Sequence, residues 1–211
     1  MRKSLIVAAL LFVSLLGAQW AKADTCNGVS PANNLVSNCA FGTGDFTSWS
    51  GTALTSFQDG IDTGDTPPAL GTTPYDGLTY EAYLGDEGGT GTLEQTLTTV
   101  VGQQYIVEFA LLNDTAPTAE YPNSFVAAFG GSTLLDEIQA PADAYTLYSY
   151  LVEASGTSTT LSFTDENNQG YFELDSISVD ATATPEPGSL LLFGTGLLAL
   201  AGVARRRLSR R

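Results

Sequence analysis

Between residues 34 and 180 apolar and polar side chains alternate in short runs, and Gly, Asn, Asp and Ser separate the runs. A period of two with such punctuation is the pattern of strands that bury one face. The clearest run places Tyr105, Val107, Phe109 and Leu111 on one face and Ile106, Glu108, Ala110 and Leu112 on the other. It predicts a central strand buried on most of both faces. Leu93, Gln95 and Leu97 mark the strand before it, with Val101-Gly102-Gln103 as the turn between them. Phe125, Ala127 and Phe129 run up to Gly130-Gly131, a hairpin turn signal, and Thr133 to Ile138 returns. Tyr145 to Val152, Thr159 to Thr164 and Tyr171 to Val179 follow. Shorter runs lie near Phe46 to Trp49, Leu54 to Phe57 and Tyr80 to Leu84, and about eight or nine strands are expected. No long helical period interrupts them, which predicts an all-β antiparallel sandwich. In the last strand the apolar parity shifts between Phe172/Leu174 and Ile177/Val179. Such a shift predicts a bulge near Asp175-Ser176, a device that re-aims side chains.

Two apolar stretches stand outside this pattern. Residues 1–23 carry Arg2-Lys3, an apolar run from Leu5 to Leu16, and Ala21-Lys22-Ala23 before Asp24. These are the parts of a secretory signal helix with a small-x-small cleavage site. At the other end stand Pro185, Glu186 and Pro187, then the apolar span 189–204, then Arg205, Arg206, Arg207, Arg210 and Arg211. Sixteen helical residues reach about 24 Å, just short of a hydrocarbon core of about 30 Å. The arginines can snorkel to the interface and hold the C-terminus in the cytoplasm, with the rest of the chain outside. Pro185 and Pro187 stop helix upstream and leave an extended strip open to a protease. Three segments are therefore expected: a signal (1–23), a sandwich domain (24–184) and a C-terminal membrane helix with its flanks (185–211). The Pro-Glu-Pro triplet, the short Gly-containing span and the terminal arginine cluster resemble the PEP-CTERM sorting signal of exopolysaccharide-producing Gram-negative bacteria. That resemblance implies export, transient inner-membrane retention, processing near the triplet by an exosortase-type protease, and a final place at the cell surface or in the extracellular matrix.

Charge narrows what the domain can do. All eight basic residues lie in the terminal segments, the chain has no His, and 22 of the 23 acidic residues lie within 24–184, Glu186 being the exception. Such a domain repels nucleic acid and anionic membranes and can form no internal salt bridge. A Ser-His-Asp triad, a Lys nucleophile and an arginine clamp are all excluded, and the scattered acids single out no glycosidase pair, so no enzyme is expected. Two readings of the acidity stand side by side: colloidal solubility, and binding of Ca2+ through clustered carboxylates and carbonyls. Cys26 and Cys39 read as a disulfide in an oxidising compartment, worth roughly 3 kcal/mol in the chain-entropy model.

The run Asn34-Leu35-Val36-Ser37-Asn38-Cys39-Ala40-Phe41-Gly42 and Phe46 to Trp49, with Phe172-Glu173-Leu174-Asp175-Ser176-Ile177-Ser178-Val179 at the end, is similar to the opening and closing strands of carbohydrate-binding-module and galactose-binding-like jelly rolls. The resemblance implies a jelly-roll sandwich, polysaccharide as partner, and Trp49 in the core. Members with a structural Ca2+ place a Glu where Gly42 stands, while Asp175 keeps the acidic position of the closing strand. Candidate Ca2+ ligands are thus Asp175 and, in a Gly-punctuated loop, Asp59, Asp62 and Asp65; a purely solvated loop is the competing reading there. Asp86-Glu87-Gly88-Gly89 reads as a turn. Candidate sugar-stacking rings are Tyr148 and Tyr150 on one strand face and Tyr80 and Tyr83, with core packing as the competing reading. The expected function is an exported β-sandwich that binds or organises polysaccharide; the alternative is a structural or adhesive matrix protein bridged by Ca2+ with no sugar pocket.

Overall fold

The fold is seen in a computed structural model that describes residues 34–56, 58–62, 74–75, 80–86 and 88–182. The signal segment, Cys26, Asp65, the Pro-Glu-Pro triplet and the C-terminal apolar span lie outside the described residues. No helix among the described residues is long and apolar enough to cross a membrane.

Nine strands form two antiparallel sheets: β1 (Gly60–Asp62), β2 (Glu81–Leu84), β3 (Gly91–Thr98), β4 (Gln104–Asn113), β5 (Asn123–Phe129), β6 (Ser132–Ile138), β7 (Thr146–Glu153), β8 (Ser158–Asn167) and β9 (Phe172–Ala181). The five-stranded sheet has the order β1-β2-β9-β4-β7 and the four-stranded sheet β3-β8-β5-β6. Their facing surfaces bury one core in a jelly-roll-like sandwich. Its aromatic hub is Phe163, whose ring centroid lies 5.3 Å from Phe109, 6.0 Å from Phe125 and 6.2 Å from Trp49. β4 is an interior strand between β9 and β7, with Tyr105, Val107, Phe109 and Leu111 in the core. Its other face is buried at Ala110 and Leu112 but exposed at Ile106 and half-buried at Glu108, so burial on both faces holds only for its second half.

Two local expectations hold in detail. Gly130 and Gly131 have φ of 58° and 81°, the paired left-handed residues of a tight hairpin turn between β5 and β6. In β9, Glu108 pairs with Ser178 while Ala110 pairs with Asp175, so two β9 residues stand opposite Phe109. Ser176 takes a φ of 52° at this bulge. The extra residue lets Phe172, Leu174, Ile177 and Val179 all enter the core while Asp175 turns to the opposite face.

The opening segment differs from expectation. Residues 46–49 and 54–56 are not strands: the former lie in turns, and Thr52–Thr55 is a 3-10 helix. Asn38 explains why. Its amide donates to the carbonyls of Asp45 (2.9 Å) and Thr47 (3.0 Å) and accepts from the Thr43 amide, and its own carbonyl takes the Trp49 indole N–H. One Asn thereby satisfies a coiled loop that a strand ladder would otherwise have to satisfy. The segment docks along β9 instead, through Leu35 N–H to Val179 O and Ile177 N–H to Cys39 O. Cys39 is buried and disulfide-bonded, and Cys26 is the only other cysteine in the sequence.

Replacing the hub ring tests this packing. Phe163→Ala is expected to lower unfolding free energy by about 3–5 kcal/mol, read by equilibrium urea denaturation; a loss under about 1 kcal/mol would show that the three neighbouring rings do not depend on it.

Candidate functional site

Three features of the sandwich bring chemistry together. The first is a cleft of about 440 Å3, bounded on one side by Gly44 to Thr47 of the opening segment and on the other by Asp59 to Ile61, with Ala53 and Leu54 between. Phe46 is half-buried in it, and Asp45 is exposed with its carboxylate fixed by the Thr43 hydroxyl and the Thr47 amide. Hydrogen bonding by the Thr47 side chain, then by the Thr43 side chain and the Thr47 amide, holds the Asp45 carboxyl below its ordinary value. Gly44 is left-handed at a φ of 74°, and the Tyr80 ring lies against it.

The second feature joins the cleft wall to the end of the core. Asp59, Asp86 and Asp165 each offer a carboxylate oxygen, and the three oxygens lie within 4.8 Å of one another. Asp165 sits on β8 at the inward parity of Leu161 and Phe163, so the strand itself drives it between the sheets. Asp59 Oδ1 accepts from the Gly85 amide at 2.7 Å, Asp165 Oδ2 from the Asp86 amide at 3.3 Å, and Asp86 Oδ1 from the Ser56 hydroxyl at 2.8 Å. Burial, then the neighbouring carboxylates, push Asp165 up to about 7 and Asp59 up to about 6.

The third lies on the face of the five-stranded sheet turned away from the core. Asp62 and Glu81 oppose one another across β1 and β2, and Tyr83 and Glu173 across β2 and β9. Asp62, Glu81, Glu173 and Asp175 are all buried there, Glu81, Glu173 and Asp175 completely. Tyr145 caps this row, its hydroxyl donating to Glu81 Oε2 at 2.5 Å, and Tyr75 packs edge-on against the Tyr145 ring. Burial is the main cause that raises Glu81 to about 8; the Tyr145 hydrogen bond opposes it, and the charges of Glu173, Asp175 and Asp62 add to it. The Tyr145 hydroxyl is driven far above the usual phenol range by the same burial and by the Glu81 charge.

The candidate residues from the sequence therefore divide. Asp59 and Asp62 are only three positions apart but belong to different groups, because β1 begins between them and directs Asp62 to the outer face. Asp175 joins Asp62 on that face rather than Asp59. Asp86, Asp165, Glu81 and Glu173 were missed; the signal that could have found Asp165 is its parity with the core residues of its own strand. Tyr148 and Tyr150 lie on the core-facing side of β7, half-buried, stacked at 5.5 Å and 6.2 Å on Phe109, and Tyr148 donates to Glu137 Oε1 at 2.6 Å. Tyr83 packs edge-on against Tyr171 at 5.2 Å, and the Tyr80 ring lies against Gly44.

Comparison with known proteins adds two findings. A family model, the PEP-CTERM protein-sorting motif, matches residues 183–207. No curated protein matches the chain in sequence. Among solved structures the chain is similar to TmCBM61 in complex with beta-1,4-galactotriose, at 16% identity over 71% of this chain and 99% of that one, with a TM-score of 0.53. It is also similar to Family 16 Carbohydrate Binding Module-2, at 14% identity, covering 69% of this chain and 99% of the other, with a TM-score of 0.48. The K1 cleaved adhesin domain of Lys-gingipain from Porphyromonas gingivalis W83 follows at 14% identity, 66% and 96% coverage and a TM-score of 0.45. The sorting motif and the jelly-roll fold thus agree with the two resemblances carried by the sequence.

The acidic row makes stability depend on pH with a definite sign. Glu81 titrates near 8 in the fold against an ordinary value of 4.5. Its contribution is fully present below the lower value and is lost as pH rises through the upper one. In EDTA the urea midpoint is expected to fall between about pH 5 and pH 8.5, and Glu81→Gln is expected to flatten that fall. Equal falls in both proteins would place the titration elsewhere.

Proposed function

We propose that this chain is an exported, non-catalytic protein of the cell surface or extracellular matrix whose sandwich binds or organises polysaccharide. In this reading residues 1–23 are removed on export and 24–184 form the delivered domain. Residues 185–211 hold it in the inner membrane, C-terminus inward, until an exosortase-type protease acts near Pro185-Glu186-Pro187. The sorting motif supports the route.

The observation that carries the binding role is the cleft beside Phe46. A sugar presents an apolar ring face and a rim of hydroxyls, and the cleft offers a half-buried aromatic ring with an exposed carboxylate at its margin, Asp45, oriented by two hydrogen bonds. Ring-face stacking with hydroxyl donation to fixed carboxylates is how a protein without basic side chains can hold a neutral glycan. The jelly-roll fold supports the same role, since the structure of TmCBM61 is a complex with beta-1,4-galactotriose. The absence of Lys, Arg and His between residues 24 and 184 supports a non-catalytic part.

A second reading, a structural or adhesive matrix protein cross-bridged by Ca2+, is favoured by the 22 acidic residues of that stretch. The two separate on partner chemistry. Neutral glycan bound in the cleft needs no surface cation, whereas an acidic polysaccharide must be bridged across like charges.

Two experiments check this. On an array of neutral and uronic-acid polysaccharides, the full chain is expected to bind, and Phe46→Ala to weaken neutral-glycan binding by roughly tenfold, the loss of about 1.4 kcal/mol of stacking. Binding unchanged by Phe46→Ala would reject the cleft, and uronic-acid binding that survives EDTA would reject cation bridging. In cells, replacing Pro185 and Pro187 by Ala is expected to leave the chain in the membrane fraction; normal release would remove the triplet from the processing step.

A further inference from the structure

The geometry points to a site for one hard divalent cation, Ca2+ before Mg2+, formed by Asp59, Asp86 and Asp165. It is separate from any cation bridging at the protein surface, and it shares no residue with Asp175 or Gly42.

Acidic residues often gather without a ligand, and here the arrangement carries more than proximity. Asp165 is fully buried, yet its Oδ1 has no hydrogen-bond partner, and the same holds for Asp59 Oδ2 on a side chain that is 7% exposed. In all three carboxylates one oxygen is fixed by a donor: the Gly85 amide, the Ser56 hydroxyl or the Asp86 amide. At Asp59 and Asp165 the other oxygen is left for the centre. That division is the one expected of metal ligands, whose outer partners orient them. A buried acceptor without a donor otherwise costs about 1–3 kcal/mol, more when charged.

No side chain among the described residues can neutralise the group, because the sequence has no Lys, Arg or His between Asp24 and Ala204. Gly91 makes the convergence possible. A Cβ there would collide with Asp86 Oδ2 and stand 2.7 Å from Asp165 Oδ1, so the missing side chain is the space the two oxygens share.

Ligand chemistry favours the ion. Ca2+ accepts irregular shells of carboxylates, carbonyls and water, whereas Mg2+ demands near-ideal octahedral geometry and gives up its water reluctantly. The three oxygens lie within 4.8 Å of one another, close enough to share one such ion. Water and backbone carbonyls would complete its shell. The ion would tie together three segments distant in sequence: the lead into β1, the loop after β2, and the end of β8.

The test uses the full chain purified in detergent, melted in EDTA, Na+, Mg2+ and Ca2+ at matched ionic strength. Ca2+ at about a hundredfold excess over its Kd is expected to raise the midpoint by roughly 5–10 °C above the Na+ control. Asp165→Asn is nearly isosteric and is expected to lose that rise, while Asp136→Asn removes an equal charge from an exposed position on β6 and is expected to keep it. Because a substitution at Asp165 can impair folding, the half-buried Asp86→Asn and the space-filling Gly91→Ala carry the same expectation. Tyrosine-sensitised Tb3+ luminescence gives a direct binding readout, expected to weaken at least about tenfold in both. A wild-type Ca2+ rise no larger than that with Na+, or a full rise retained by Asp86→Asn and Gly91→Ala, would overturn the site.

Discussion

One electrostatic constraint governs this domain: carboxylates are carried into the interior where no cationic side chain exists to meet them. Burying an ionised carboxylate alone is prohibitive, so each such group must be hydrogen-bonded, protonated or bound to a cation. The fold uses the first solution wherever a backbone amide or hydroxyl is within reach, as at Asp59, Asp114 and Asp175, which accept from the amides of Gly85, Tyr171 and Ser176. Tyr145 does the same for Glu81. What those donors leave over is concentrated in two places: the group that includes Asp165 at the end of the core, and the row beneath Tyr145.

Both places follow from strand geometry. A strand alternates its side chains without regard to polarity, so an acid at inward parity is driven between the sheets with its apolar neighbours. Asp165 shares the face of Phe163, and the aromatic hub at Phe163 fixes β8 against slipping by one residue, since a slip would turn Phe163 and Leu161 to the opposite face. The bulge at Ser176 works in the opposite direction. It keeps Leu174 and Ile177 both inside while presenting Asp175 beside Glu81 on the other face. Packing energy of apolar residues is thus what holds the acids in place.

The opening segment links this interior to the cleft. Asn38 shapes it into a loop, Trp49 anchors it in the core, and the cleft lies between it and Asp59. Asp59 faces both ways, as a wall of the cleft and as a member of the acidic group, so the surface that can meet a glycan and the charge centre below it share a side chain.

Much of the fold was legible in the residues themselves. Alternation located β3 to β9, the Gly130-Gly131 pair marked the hairpin, and the parity break near Asp175 marked the bulge, because all three are short-range consequences of backbone geometry. The sorting motif was equally legible, being a linear signal. The opening segment was not: its apolar spacing resembled strands, and only the long-range hydrogen bonds of Asn38 show why it is a loop. The acidic groups were not legible either. Asp59 and Asp62 stand close in sequence, yet Asp59 meets Asp86 and Asp165, and Asp62 meets Glu81. Composition alone determined that buried acids would lack cationic partners, whereas which acids meet is decided by strand order and register, properties of the assembled sheets that no local run of residues contains.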